Sequence, residues 1–212
     1  MDYARTYLSK KVSPEAAVEL VRSGDWVDYG AFLCAPKMLD AALAKRIDSL
    51  SDVKIRTLAF PGTSAVAEAS KGKENFIYNS WHFSGAERKL HDGGGCHFIP
   101  FVYHEGPTHY RRNIEVDVCM IRTGPMDKFG FFNYGAANSC TRSAIEKARL
   151  VILEINENMP RCLGGYHESI HISEVDYIVE SDNAPMPVIP NPAITETDRL
   201  IATQIVGEIR DG

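Results

Sequence analysis

Two short apolar runs stand out along the chain, residues 116–121 (VDVCMI) and 150–155 (LVILEI). Both are rich in β-branched residues and too short for a core helix, so each predicts a strand buried on both faces. Between them lie a Gly/Pro loop at 124–130 and a helical segment over about 139–149. Strand, loop, helix and strand at this spacing predict a βαβ crossover, and therefore parallel strands in a covered sheet. Ligands in such sheets sit beyond the carboxyl ends of the strands, which directs attention to the loops after Ile121 and Ile155.

The same reading extends to the flanks. Ser13 as N-cap and Pro14 at the first position start a helix that turns Ala17, Val18 and Val21 inward and stops at Gly24. Residues 25–30 predict a first strand, a helix runs from Pro36 to Ile47, and the alternation over 53–58 predicts a second strand. The tight turn at 59–64 carries small polar groups and exposed amides. A short strand at 76–78 follows, then a helix through Arg88 and Leu90 that breaks at the glycine run 93–95. Residues 96–102 and about 170–179 are further strand candidates. The expected layout is an α/β domain over 1–184, a Pro-rich connector over 185–194, and a helix over 195–212 leading towards a second domain outside this chain. That helix starts at Thr195, which forms a capping box with Asp198. It carries Leu200, Ile201, Ile205 and Ile209 on one face and stops at Asp211-Gly212.

Composition narrows the function classes. The chain has 23 basic and 28 acidic residues among 212, a net charge of −5, and no concentrated basic patch. Nucleic acid and anionic membrane surfaces are therefore not expected partners. No apolar run approaches the ~20 residues of a membrane-spanning helix, and the N-terminus lacks a signal-peptide core. Five scattered cysteines without CxxC spacing predict reduced thiols in a cytoplasmic protein.

The loudest motif is His167-Glu168-Ser169-Ile170-His171, which satisfies H-E-x-x-H. Zinc chemistry needs that motif on a helix, where histidines four apart share one face. Here Gly164-Gly165 precede it and an extended stretch follows, where the two histidines would stand ~13 Å apart; no metal site is predicted. The run 93–95 lacks a following Gly-Lys-Ser/Thr, and no G-x-G-x-x-G joins a strand to a helix, so neither a P-loop nor a dinucleotide fingerprint is present. Cys119 reads as a small hydrophobe in a strand, with Cys34 and Cys140 also weighed as nucleophiles. Glu154 and Glu157 flank the end of a central strand, a place for a catalytic carboxylate, or for one that caps loop amides or pairs with Arg161. His82 with Ser84, between Trp81 and Phe83, suits a small pocket with aromatic walls as well as it suits a plain hydrogen-bonded histidine.

Several segments taken together carry a resemblance: 23–30 (SGDWVDYG), 79–85 (NSWHFSG) with 87–89 (ERK), 125–127 (PMD), 156–165 (NENMPRCLGG) and 171–180 (HISEVDYIVE). Over nearly its whole length the chain resembles the N-terminal domain of the acetyl-CoA hydrolase/transferase family, most of all the butyryl-CoA:acetate CoA-transferases and less closely the 4-hydroxybutyrate CoA-transferases. The resemblance implies two α/β domains with acyl-CoA between them, coenzyme A as substrate, no tightly bound cofactor or metal, a short-chain carboxylate as acceptor, and a homo-oligomer. It also implies a glutamate nucleophile that passes through an acyl anhydride to a glutamyl-CoA thioester, with backbone amides stabilising the oxyanions. That glutamate and its Gly-rich oxyanion loop belong to the second domain, so no catalytic residue is carried onto this chain, which alone is expected to be inactive. The expected lining of the CoA and acyl cleft is Pro61, Gly62, Thr63, His82, Ser84, Gly85 and Arg88, chosen for polarity and position at strand ends. A hydrolase of the same family and a non-catalytic binding domain are the rival expectations.

Overall fold

The structure, a computed structural model, describes residues 2–70 and 74–210. Seven parallel strands form the main sheet: β1 (Trp26–Ala31), β2 (Val53–Leu58), β3 (Phe76–Ser80), β4 (His97–Phe98), β5 (Val118–Thr123), β7 (Leu150–Ile155) and β9 (Tyr177–Glu180). Their order is β4-β3-β2-β1-β5-β7-β9. The chain winds outward from β1 in one direction and then returns to add β5 on its other side. The junction of β1 and β5 is thus the topological switch point, where crevices open at the carboxyl ends of α/β sheets. A two-stranded antiparallel sheet, β6 (Phe131–Asn133) with β8 (Ser169–His171), stands beside it.

Strand periodicity explains why the central runs read as uninterrupted apolar sequence. In β5, Val118 and Met120 join one core while Cys119 and Ile121 join the other. In β7, Ile152 faces the first and Val151, Leu153 and Ile155 the second. Covering both faces buries every residue of both strands, and each fully buried large aliphatic side chain contributes ~1.5–3 kcal/mol. On the first face lie α2 (Pro14–Val18), α3 (Lys37–Ala44) and α4 (Ala65–Ser70); on the second lie α6 (Gly106–Arg112) and α7 (Thr141–Lys147). Helix α5 (Gly85–Asp92) stands beyond β3, and α1 (Tyr3–Lys10) leads to Lys11, which bridges in parallel to Ile178 and covers the β9 edge.

Both strands of the predicted crossover pair in parallel with α7 between them. Ser13 accepts from the Ala16 amide as its N-cap, and the 53–58 strand has the predicted bounds. The helix from Pro36 is shorter than expected, giving way after Ala44 to a 3-10 turn at Ile47–Ser49. The candidate strand at 96–102 reduces to His97–Phe98, because Pro100 lacks the amide a parallel ladder needs. The stretch 170–179 is two strands in different sheets, separated by a 3-10 turn at Ile172–Glu174. Helices α1 and α6 and strand β6 were not anticipated: α1 has no buried residue, α6 buries only Gly106 and Tyr110, and three residues make no period.

Residues 181–194 form no regular element, and α8 (Glu196–Glu208) follows with both arms of the Thr195–Asp198 capping box in place. None of its residues is buried, so the expected apolar face at Leu200, Ile201 and Ile205 meets solvent. Ile209 lies just beyond the helix, and the stop expected at Asp211-Gly212 falls outside the described residues. No described helix is long and apolar enough to cross a membrane.

Candidate functional site

The carboxyl ends of β1 and β2 meet in an unusual way. Asp28 pairs with Arg56 and Ala31 with Leu58, so β1 carries one residue more than β2 over the same span and bulges. Gly30 takes φ +63° in the bulge, and a Cβ there would lie 3.1 Å from Ile121. Immediately after the paired Ala31 and Leu58, Phe32 and Ala59 are both left-handed, at φ +46° and +54°. Two adjacent non-glycine residues in this region, one of them a bulky aromatic 42 % exposed, hold their conformation only because the surroundings impose it. Such strain concentrates where ligands bind. No residue type in the sequence signals it, since neither Phe32 nor Ala59 favours a left-handed backbone by itself.

The predicted lining residues lie on two loops, one after β2 and one after the neighbouring β3. Pro61, Gly62 and Thr63 continue from Ala59, with Gly62 and Thr63 exposed. His82, Ser84, Gly85 and Arg88 come from the end of β3 and the start of α5, and β3 pairs with β2. Glu87 joins the two loops: one carboxylate oxygen accepts from the Phe60 amide at 2.7 Å and the other from the Ser84 amide at 2.8 Å. Thr63 and Gly85 consequently line one cleft of about 350 Å³ together with Lys89 and Leu90. The Ser84 hydroxyl is taken up as the α5 N-cap, accepting from the Ala86 amide. His82 and Arg88 are exposed, and no ion pair forms at Arg88 among the described residues. Ser84-Gly85-Ala86-Glu87 spells a capping box, the local signal in the sequence that marks Glu87.

The loops after β5 and β7, where the crossover first directs attention, border a different cleft of about 500 Å³, lined in part by Tyr7, Met126, Glu157 and Glu180. Two carboxylates on its wall disfavour an anionic ligand.

The remaining candidates have structural partners. Glu154 is buried and accepts from the amides of Lys37, Met38 and Leu39 at 3.1, 2.9 and 3.0 Å, which satisfies the first turn of α3. Burial pushes its carboxyl up, against the pull of those amides and Arg122. Arg161 pairs with Asp127 at 3.7 Å and with neither Glu154 nor Glu157. Cys34 donates to the Tyr134 and Ala137 carbonyls, and burial pushes its thiol up to about 12. Burial likewise raises Cys119 and Cys140, opposite to what a thiolate nucleophile needs. His167 lies in a left-handed turn and His171 in β8, while Glu168 caps the Gly164 and Gly165 amides; the motif has no helical face. The glycine run terminates α5, with Gly94 at φ +78° and the Gly95 amide donating to the Leu90 carbonyl.

Over 100 % of its length the chain is 41 % identical to the butyryl-CoA:acetate CoA-transferase of Anaerostipes caccae, covering 48 % of that protein. It is 29 % identical to the 4-hydroxybutyrate coenzyme A transferase of Clostridium kluyveri, covering 49 % of it. The chain therefore spans about half the length of the curated relatives it matches. Among solved structures, RipA from Yersinia pestis superposes with a TM-score of 0.86 at 28 % identity, over 100 % of this chain and 51 % of that one. The 4-hydroxybutyrate CoA-transferase of Porphyromonas gingivalis shares the fold with a TM-score of 0.70 at 22 % identity, over 90 % and 44 %. Residues 1–190 match the sequence model of the acetyl-CoA hydrolase/transferase N-terminal domain, and the chain belongs to that family.

Proposed function

We propose that this chain forms one wall of the acyl-CoA cleft in a short-chain acyl-CoA:carboxylate CoA-transferase of the butyryl-CoA:acetate kind. The observation that carries the reading is the 41 % identity, along the whole chain, with a butyryl-CoA:acetate CoA-transferase. The strained backbone at Phe32 and Ala59 supports it: an exposed aromatic follows β1, and the loop 61–63 follows the neighbouring β2. Coenzyme A is a substrate in this reading, and no tightly bound cofactor takes part.

In the proposed reaction a glutamate carboxylate outside these residues attacks the thioester carbonyl and expels the CoA thiolate, giving an acyl-glutamyl anhydride. The thiolate returns to the glutamyl carbonyl and releases the first carboxylate; the second carboxylate then takes over the CoA by the reverse steps. A nucleophile outside the chain agrees with the state of its buried carboxylates. Asp25, Asp28, Asp40, Glu87 and Glu154 each accept from backbone amides, and none is free to attack. The proposed wall consists of the amides around Pro61, Gly62 and Thr63, with His82, Gly85 and the backbone of Ser84 beside them, and of Phe32 against the acyl chain. Arg88 is a cation free to meet a CoA phosphate or a carboxylate.

The test is an assay of the full-length gene product with butyryl-CoA and acetate. Acetyl-CoA should accumulate with butyrate, while residues 1–212 alone should give none. Release of free CoA without acetyl-CoA would replace the transferase reading by a hydrolase, and absence of both would remove the enzymatic reading.

A further inference from the structure

Asp28 is buried in the middle of β1, where a carboxylate is costly to desolvate unless it is paired and hydrogen-bonded. Three groups surround it. Its Oδ1 accepts from the Gly30 amide at 2.9 Å, and its Oδ2 accepts from the Tyr110 hydroxyl at 2.6 Å and lies 3.6 Å from Arg56 Nη1. Arg56 is fixed in turn by the Glu115 carbonyl at 3.0 Å and by the Trp26 ring, 4.3 Å from its guanidinium carbon. Trp81 and Tyr110 close the far side, each about 6 Å from the guanidinium. Apolar residues of similar size are often no less stable in such a place, so stability alone does not account for a buried pair here.

What Asp28 does hold is the bulge. An extra residue in a strand loses its place in the ladder, and its amide is left without an acceptor. At β1 the amide so displaced is that of Gly30, and the Asp28 carboxylate takes it up. The bulge decides what comes next. Were the bulge straightened, the register that pairs Asp28 with Arg56 would carry Ala31 on to Ala59, and Phe32 would move along the strand by ~3.3 Å and turn to the opposite face of the sheet. With the bulge, Phe32 stands beside Ala59 at the rim.

We propose that Asp28, bolted by Tyr110 and Arg56, is a positioning residue that sets Phe32 as the gauge of acyl-chain length at the cleft mouth. The proposal rests on the acyl-CoA reading above and adds a residue that touches no substrate. One methylene in a fitted apolar pocket changes kcat/KM by roughly 10- to 200-fold, so a gauge displaced by one residue alters chain-length preference measurably.

The experiment measures the ratio of kcat/KM for butyryl-CoA to that for hexanoyl-CoA in the full-length gene product. This ratio does not depend on the fraction of folded enzyme, so a merely structural role leaves it unchanged. Asp28→Ala should shift it by about tenfold, Tyr110→Phe should shift it less in the same direction, and Asp28→Asn, which keeps an acceptor for Gly30, should restore most of it. Adding Asp28→Ala to Phe32→Ala should give no further shift, because the two changes act through one side chain. Hydrogen exchange of the peptide over 26–34 provides a readout independent of catalysis. Protection at Gly30 should be lost in Asp28→Ala and kept in Asp28→Asn. An unchanged ratio in active Tyr110→Phe enzyme overturns the proposal, as does unchanged exchange in Asp28→Ala. If the wild type transfers no CoA, the acyl-CoA reading fails, and with it the gauge; the exchange result then decides only the hold on the bulge.

Discussion

Two parts of the same carboxyl rim treat their backbone in opposite ways. Along the helices, buried carboxylates take up backbone amides: Glu154 from β7 reaches across to the first turn of α3, Asp40 of α3 accepts from Ser64 and the Ala65 amide at the start of α4, and Glu87 joins the Phe60 and Ser84 amides. At the ends of β1 and β2 the backbone is instead held strained, with Phe32 and Ala59 side by side in left-handed conformations. The difference separates helix ends completed by carboxylates from strand ends held strained. Carboxylates at strand ends invite a catalytic reading, yet here they complete helices, and the unusual backbone lies elsewhere.

The sharpest way to break this contrast is Glu154→Ala. It leaves three α3 amides without their acceptor and Arg122 without its nearby carboxylate. Stability should fall by about 3 kcal/mol or more, read as a lower urea midpoint at unchanged slope. A loss under about 1 kcal/mol would mean that the amides find other acceptors and that the carboxylate is dispensable to the scaffold.

A gentler probe is pH. Burial pushes Asp40 up to about 6 from an ordinary 3.8, against the pull of Ser64 and the α4 amides. The folded state then binds more protons than the unfolded state between those values, so this carboxyl makes the fold more stable as pH falls from about 6 to about 4. The contribution is complete below the unfolded value and lost as pH rises through 6. A gap of two units corresponds to about 2–3 kcal/mol. Asp28 and Glu154, both raised by burial, act in the same direction. Urea titrations at pH 4.5 and 6.5 should show the difference shrinking in Asp40→Asn; an equal difference in both proteins would assign it to other groups.

The smallest effect lies on the strained side. Ala59→Gly should stabilise by roughly 0.5 kcal/mol, because relief of left-handed strain slightly exceeds the added freedom of the unfolded chain. A destabilised variant would show that the buried Ala59 methyl matters more than its φ.

Much of this was legible in the residues. The runs 116–121 and 150–155 specified two buried parallel strands, because short, mostly apolar stretches rich in β-branched residues, broken only by Asp117 and Glu154, fit little else. Ser13, Thr195 and the glycines at 93–95 marked helix ends through local capping chemistry, which needs no tertiary partner. The resemblance carried by segments such as 23–30 and 156–165 identified the family, which the comparisons show. Helix α6 was hidden because only Tyr110 and Gly106 of its seven residues face inward, whereas the start of α8 was legible from its capping box, which says where a helix starts but not what covers it.

Sequence alone determined the α/β class, the crossover and the family, since each depends on local periodicity or on an ordered series of motifs. Only the tertiary structure decided which strand-end residues are scaffold and which form the rim. Glu154 meets α3 across more than a hundred residues of chain, and Phe32 owes its conformation to a register between β1 and β2 that an Asp28 carboxylate secures. Hydrogen bonds and register between distant segments leave no period in the sequence, so they appear only when the chain is folded.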